Sequence, residues 1–159
     1  MTTISILRTV GCVVLCLAAG WIGSVSTRDA IPEWYSGLIK PAYNPPSWAF
    51  GVVWPILYVL MGVALGMVLS KGFDRREVQI AAMVFAIQLA LNAVWSLIFF
   101  GLRRIDLAMI EILLLWLAIV ATQCAFYRVS RFAAGLLVPY LLWVSFAVLL
   151  NAGFLKLNP

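Results

Sequence analysis

Three sets of aromatic and amide side chains recur at helical spacing. Gln88, Asn92, Trp95 and Phe99 fall at i, i+4, i+7 and i+11. Trp143, Ala147 and Asn151 fall at i, i+4 and i+8 with Leu150 beside them, and Trp54, Tyr58 and Met61 follow the same rule. Rings and a few amides on one face of each of three helices would line a cleft for a flat, conjugated, mostly apolar molecule. Stacking would hold it and the amides would fix its orientation. Two other readings share these residues. Trp and Tyr also form belts at membrane interfaces, an alternative that extends to Trp21, Trp34, Trp48 and Trp116. Gln88 and Asn92 could serve only to join helices by hydrogen bonds.

The chain has no histidine, which removes the commonest metal ligand and the usual general base. Cys12, Cys16 and Cys124 have no metal-ligand spacing, and Cys12 and Cys16 share one face of an apolar helix, where packing accounts for them. Neither a metal nor a cofactor is expected, and hydrolytic or ordinary redox catalysis finds no acid–base pair to run on. Glu111 is the one acid inside an apolar run. It lies roughly 7 Å along the axis from Asp106 at about 1.5 Å per residue, near enough to a helix N-terminus for an anion to be tolerated. A structural role and a ligand or proton role are both open.

A membrane-embedded bundle must position these groups. Of 159 residues, 65% are hydrophobic and 11% charged, against roughly half and a quarter in soluble domains. A spanning helix takes about 20 residues, and five apolar runs fit, at about 4–25, 48–69, 78–100, 107–127 and 132–155. The expectation is an all-α, multi-pass integral membrane protein: one domain over 1–159 with a long first loop, 26–47. The runs are too long and too apolar for barrel strands. A signal peptide over the first run, with Ser24-Val25-Ser26 as its cleavage site, is a competing reading; the segment is expected to stay as a helix. The net charge of +5 comes from basic residues set singly or in pairs, so nucleic acid is not an expected partner. Six Lys or Arg on one side of the membrane against five on the other leave the orientation open.

Local signals add detail. Arg8 is placed to snorkel, Ser47 to cap a helix opening at Trp48 and Asp106 to cap the fourth helix. Pro55 and Pro139 should bend their helices. Gly62-x-x-x-Gly66 and Ala82, Ala86, Ala90 form small-residue faces suited to close helix contact and to a homodimer.

Several stretches resemble a known family. Trp34-Tyr35, Leu38, Lys40-Pro41, Asn44-Pro45-Pro46, Trp48, Phe50-Gly51, Val53-Trp54 and Leu57-Tyr58 form the first. Gln88-Leu89-Ala90-Leu91-Asn92, Trp95 and Phe99-Phe100-Gly101 form the second, and Pro139-Tyr140-Leu141, Trp143, Phe146-Ala147 and Leu150-Asn151 the third. In this order they resemble the tryptophan-rich sensory protein (TspO) family, which includes the mitochondrial translocator protein, or peripheral benzodiazepine receptor. The resemblance implies a five-helix protein, commonly dimeric, with a pocket under the first loop. It implies porphyrins such as protoporphyrin IX as ligands, along with benzodiazepine-site compounds. It brings the loop residues Trp34, Tyr35, Pro45, Pro46 and Trp48 to that pocket and makes Tyr58, Asn92, Phe146, Ala147 and Leu150 its wall. Trp54 and Trp143 match tryptophans linked to light- and oxygen-dependent porphyrin breakdown, so photo-oxidative catalysis is the alternative to binding alone. At the end of the last span the family's sterol motif is missing its Tyr, with Ala152 and Phe154 there instead, so cholesterol is not expected. Lys40 or Arg28 would meet the propionates of a bound porphyrin.

Overall fold

The computed structural model describes residues 3–159, and among them the only regular elements are helices. They are α1 (Thr3–Glu33), α2 (Ser47–Leu69), α3 (Arg76–Ser96), α4 (Ile105–Val129), α5 (Arg131–Leu136) and α6 (Val138–Leu157). Among the described residues five stretches are long and apolar enough to cross a membrane: Ser5–Glu33, Ser47–Leu69, Arg76–Gly101, Ile105–Val129 and Arg131–Leu157. Large apolar side chains cover the outside, Leu7, Phe132 and Leu142 among them. A helix in lipid satisfies its own backbone polar groups, which is why such a surface is stable there.

Several boundaries differ from the sequence expectation. The first helix does not give way to loop near Val25 but continues to Glu33. Arg28 and Glu33 mark the edge of the apolar layer, and a helix can cross that edge without unwinding. Ser47 is the first residue of α2, with Pro46 at the cap position in extended conformation and no side-chain cap. Asp106 lies inside the first turn of α4, where it pairs with Arg104 at 2.6 Å instead of capping the backbone. Pro139 does more than bend the last span. Having no N–H to give Gly135, it separates α5 from α6 at Leu137, whose own N–H turns back to the Ala134 carbonyl at 3.2 Å. Arg8 reaches sideways, donating to the Leu69 carbonyl at 2.9 Å at the end of α2, a carbonyl that also accepts from the Gly72 N–H at 3.3 Å.

Close packing rests on small residues. Gly62 lies against the backbone of Val13, and a Cβ on Gly66 would stand 2.7 Å from Thr9 Cα. The Gly62–Gly66 face, expected to serve a homodimer, is therefore covered by the chain's own α1. Ala86 and Ala90 on α3 stay exposed. Before the turn into α4, α3 widens into one π turn over Leu97–Gly101, with the Leu102 N–H bonded to the Leu97 carbonyl at 2.8 Å. The extra residue rotates Phe99 inward, where it is buried.

Candidate functional site

A cavity of about 430 Å³ lies under the first loop, within the ~300–1,000 Å³ range of small-molecule sites. Helix α1 contributes Leu17, Gly20, Trp21 and Ser24; α2 contributes Phe50, Trp54 and Tyr58; α3 and its π turn contribute Trp95 and Phe99; α6 contributes Ala147, Leu150 and Asn151. Tyr35 closes it from the loop, and among the described residues no charged one lines it. The rings form two stacked pairs: Trp54 with Tyr58 at 5.7 Å and Trp95 with Phe99 at 5.1 Å between centroids. Gly20 is required where it stands, since its Cα runs directly under the Tyr58 ring and any Cβ would enter it.

The roof is fixed to the bundle. Tyr35 packs between Phe100 at 5.8 Å and Phe154 at 5.4 Å, and its hydroxyl donates to Asn44 Oδ1 at 3.1 Å. Burial pushes the Tyr35 phenol up from its ordinary value, opposed by the bond to Asn44, so the ring stays neutral. Lys40 Nζ stands 5.1 Å from the Tyr35 ring centre, the cation of this rim. Asn158, past the end of α6, clips the loop: it accepts from the Ile39 N–H at 2.9 Å and donates to the Ile39 carbonyl at 3.0 Å. The Tyr43 hydroxyl donates to the Leu149 carbonyl at 3.1 Å, over Gly153, where a Cβ would meet that hydroxyl at 2.5 Å.

The structure brings together Tyr35, Trp54, Tyr58, Trp95, Ala147, Leu150 and Asn151, but not the remaining expected residues. Asn92 is buried behind the wall: it accepts from the Tyr58 hydroxyl and donates to the Tyr140 hydroxyl at 3.0 Å, joining α2, α3 and α6. Gln88 lies deeper, with Nε2 3.8 Å from the Met61 sulfur. Asn92 thus ties three helices together, whereas Gln88 makes only this long contact and its Oε1 has no partner. Trp34 packs edge-on against Phe99 at 5.6 Å, outside the cavity. Pro45 and Pro46 shape the loop without reaching the wall, and Trp48 is 70% exposed on the outside.

Trp143 and Phe146 also miss this cavity. They line a separate shallow groove between α2 and α6 with Leu57 and Pro139, and Trp143 packs edge-on to Phe50 at 5.8 Å. Depth along α6 explains the place of Trp143. In angle it lies between Leu150 and Ala147, which both line the cavity, but it sits one turn, about 6 Å, before Ala147 along the axis, where it packs on Phe50 instead. Phe146, about 100° from Ala147, faces the groove.

Sequence reasoning missed the α1 wall. Leu17, Gly20, Trp21 and Ser24 do carry a helical spacing, but its polar members are the small hydroxyls of Ser24 and Thr27 and its one aromatic, Trp21, reads equally as an interfacial residue.

Comparison with known proteins matches residues 12–157 to the TspO/MBR family. The chain is 49% identical to "Tryptophan-rich protein TspO" of Chlorobaculum tepidum, over 93% of this chain and 94% of that one. It is 36% identical to "Protein CrtK" of Rhodobacter capsulatus, over 92% and 89%. With the human "Translocator protein" the identity is 43%, over 82% and 79%.

Proposed function

The chain belongs to the TspO/MBR family, and from that premise we propose that it binds porphyrins of the protoporphyrin IX type in the cavity under its first loop, in tetrapyrrole sensing, transport or regulation. The observation that carries this reading is a cavity walled by two stacked aromatic pairs, with no charged residue in its lining among the described residues and a cation, Lys40, over the Tyr35 ring that closes it. Such walls stack on a flat macrocycle, each aromatic contact adding ~0.5–1.5 kcal/mol beyond burial. The ammonium at the rim suits the propionates of the same molecule, which would stay at the water side. Exposed lining residues between α1 and α2, among them Trp21 and Pro55, leave room for a ring larger than the enclosed volume to protrude.

The test is tryptophan fluorescence of the purified protein during titration with protoporphyrin IX. Quenching should saturate, and Trp95→Phe or Tyr35→Ala should raise the half-saturation concentration several-fold. Quenching that rises linearly without a plateau would remove the site.

Photo-oxidative breakdown of the porphyrin rests on Trp54 alone in this geometry. Trp54 is on the wall, whereas Trp143 lines the other groove, so the two indoles do not flank one ring. Bleaching of bound pigment under light, compared between the native protein and Trp54→Phe, measures that activity; equal bleaching would exclude it.

A further inference from the structure

The segment that joins α3 to α4 holds two uncommon backbone conformations side by side. Leu97–Gly101 is wound as a π turn, and Arg103 sits at φ +56°, the one non-glycine residue with positive φ among the described residues. Neither is favourable by itself. A π turn departs from the α-helical hydrogen-bond ladder, and in the left-handed region a Cβ crowds the carbonyl oxygen. Glycine would relieve that crowding, yet an arginine occupies the left-handed position. Such conformations persist where their surroundings over-determine them, and they gather at ligand clamps and switch regions.

The surroundings here are the roof and the wall of the cavity. Three consecutive residues, from the end of α1 into the roof, each grip this segment. Glu33 pairs with Arg103 at 3.1 Å, Trp34 packs edge-on to Phe99 at 5.6 Å, and Tyr35 packs on Phe100 at 5.8 Å. Tyr35, Phe99 and Phe100 all line the cavity, and Phe99 is stacked on Trp95. Absorbing the extra residue into α pitch would turn Phe99 and Phe100 by about 100°, and Trp34 and Tyr35 would lose their partners together. Both side chains of the Glu33–Arg103 pair are exposed, and a pair in water contributes little alone. The wound form therefore depends on the ion pair and on the packing of Phe99 jointly, and a ring lying against Phe99 adds to the second.

We propose that Arg103 is a positioning residue of the site: through Glu33 it holds Leu97–Arg103 in the form that presents Phe99 to the ligand, and that form is completed only when the cavity is filled. A ligand stacked beside Phe99 makes that contact in the wound form and not in the relaxed one, and such a difference is what shifts a balance between two forms. With the cavity empty the turn relaxes and the ion pair opens, so occupancy of a site inside the membrane is reported at an exposed turn. Asn158 and Tyr43 keep the far part of the loop clipped to α6 in both forms. Porphyrin binding in the cavity is the premise; its transmission to Arg103 is the added step.

Hydrogen exchange of the full chain in detergent, read by mass spectrometry with and without saturating protoporphyrin IX, tests this. The Leu102 N–H bonds the Leu97 carbonyl at 2.8 Å and the Arg104 N–H the Ile98 carbonyl at 3.2 Å, both bonds of the wound form. Their exchange should slow about tenfold with the ligand, while that of Gly72 and Arg75, in the turn at the other end of α3, should not change. Glu33→Gln, made at an exposed side chain, should keep the native unfolding midpoint, speed exchange at Leu102 and Arg104, and raise half-saturation several-fold. Exchanging the charges, Glu33→Arg with Arg103→Glu, should restore both, which a merely weakened helix end would not allow. Saturable quenching with unchanged exchange at Leu102 and Arg104 overturns this inference and leaves porphyrin binding standing. Native half-saturation in Glu33→Gln, or a loss that the charge exchange does not reverse, overturns it too. Quenching that never reaches a plateau removes the cavity reading and this inference together.

Discussion

Asn92 stands behind the cavity wall, bonded to the lining Tyr58. Its amide is the only tie between the Tyr58 and Tyr140 hydroxyls, and all three side chains are buried. Replacing it by Leu would leave two phenols unpaired in an apolar interior, at a cost of about 1–3 kcal/mol for each unsatisfied group. Asn92→Leu should therefore lower the thermal unfolding midpoint in detergent markedly. Tyr58→Phe, which removes a donor and leaves only the Asn92 oxygen open, should lower it less. A reversed order would mean that the amide contributes through the ligand and not through the fold. The two tryptophans singled out by the resemblance should also part company. Trp54, stacked on Tyr58 at the wall, should weaken porphyrin binding several-fold when changed to Phe. Trp143→Phe, altering the α2–α6 groove, should leave half-saturation within about twofold. Equal losses in a quenching titration would put both indoles on one ligand after all.

Among the elements, α1 and α2 meet through glycine, and that contact has no slack. A side chain at Gly62 would enter the Val13 backbone, which cannot move aside as a flexible side chain would. Gly62→Leu should separate the two helices, costing at least ~1–3 kcal/mol as overpacking does, and abolish porphyrin quenching because α1 forms one wall. Ala86→Leu, on the exposed face of α3, should leave both the unfolding midpoint and the quenching as they are. Measuring the two variants side by side separates a contact inside the chain from a face open to a second copy. Small-residue spacing showed that these faces pack closely without showing which partner each packs on. The same limit held for helix ends. Apolar length revealed five spans, but the emergence of α1 as helix up to Glu33 depends on Trp34 and Glu33 finding Phe99 and Arg103 across the bundle. Those are contacts between residues far apart in sequence. The stripes on α2 and α3 were legible because Tyr58 and Trp95 stand out in apolar helices, while α1, whose cavity face carries only the small hydroxyls of Ser24 and Thr27 beside Trp21, hid a wall of the same cavity.

At the scale of the whole molecule, the cavity is closed toward water and open toward the bilayer. The loop is sealed to α6 by Asn158 and Tyr43, whereas Trp21, 63% exposed, and Ile31, 44% exposed, line the cavity from the outer face of α1. A ligand that partitions into lipid would reach this opening without crossing the roof. Gly51 stands at the opening on the α2 side, exposed, with nothing within 4 Å of where a Cβ would be. A large side chain there is thus tolerated by the fold and lies across the path. Gly51→Phe should retain the native unfolding midpoint, yet slow porphyrin association in liposomes by about an order of magnitude. Asn158→Ala, which loosens the roof, should change that rate far less. In stopped-flow quenching, the native association rate should follow the concentration of porphyrin in the membrane: adding protein-free vesicles at constant total porphyrin dilutes the bound pigment and should slow the reaction in proportion. A rate that tracks aqueous porphyrin, or an Asn158→Ala effect exceeding that of Gly51→Phe, would instead make the loop the entrance.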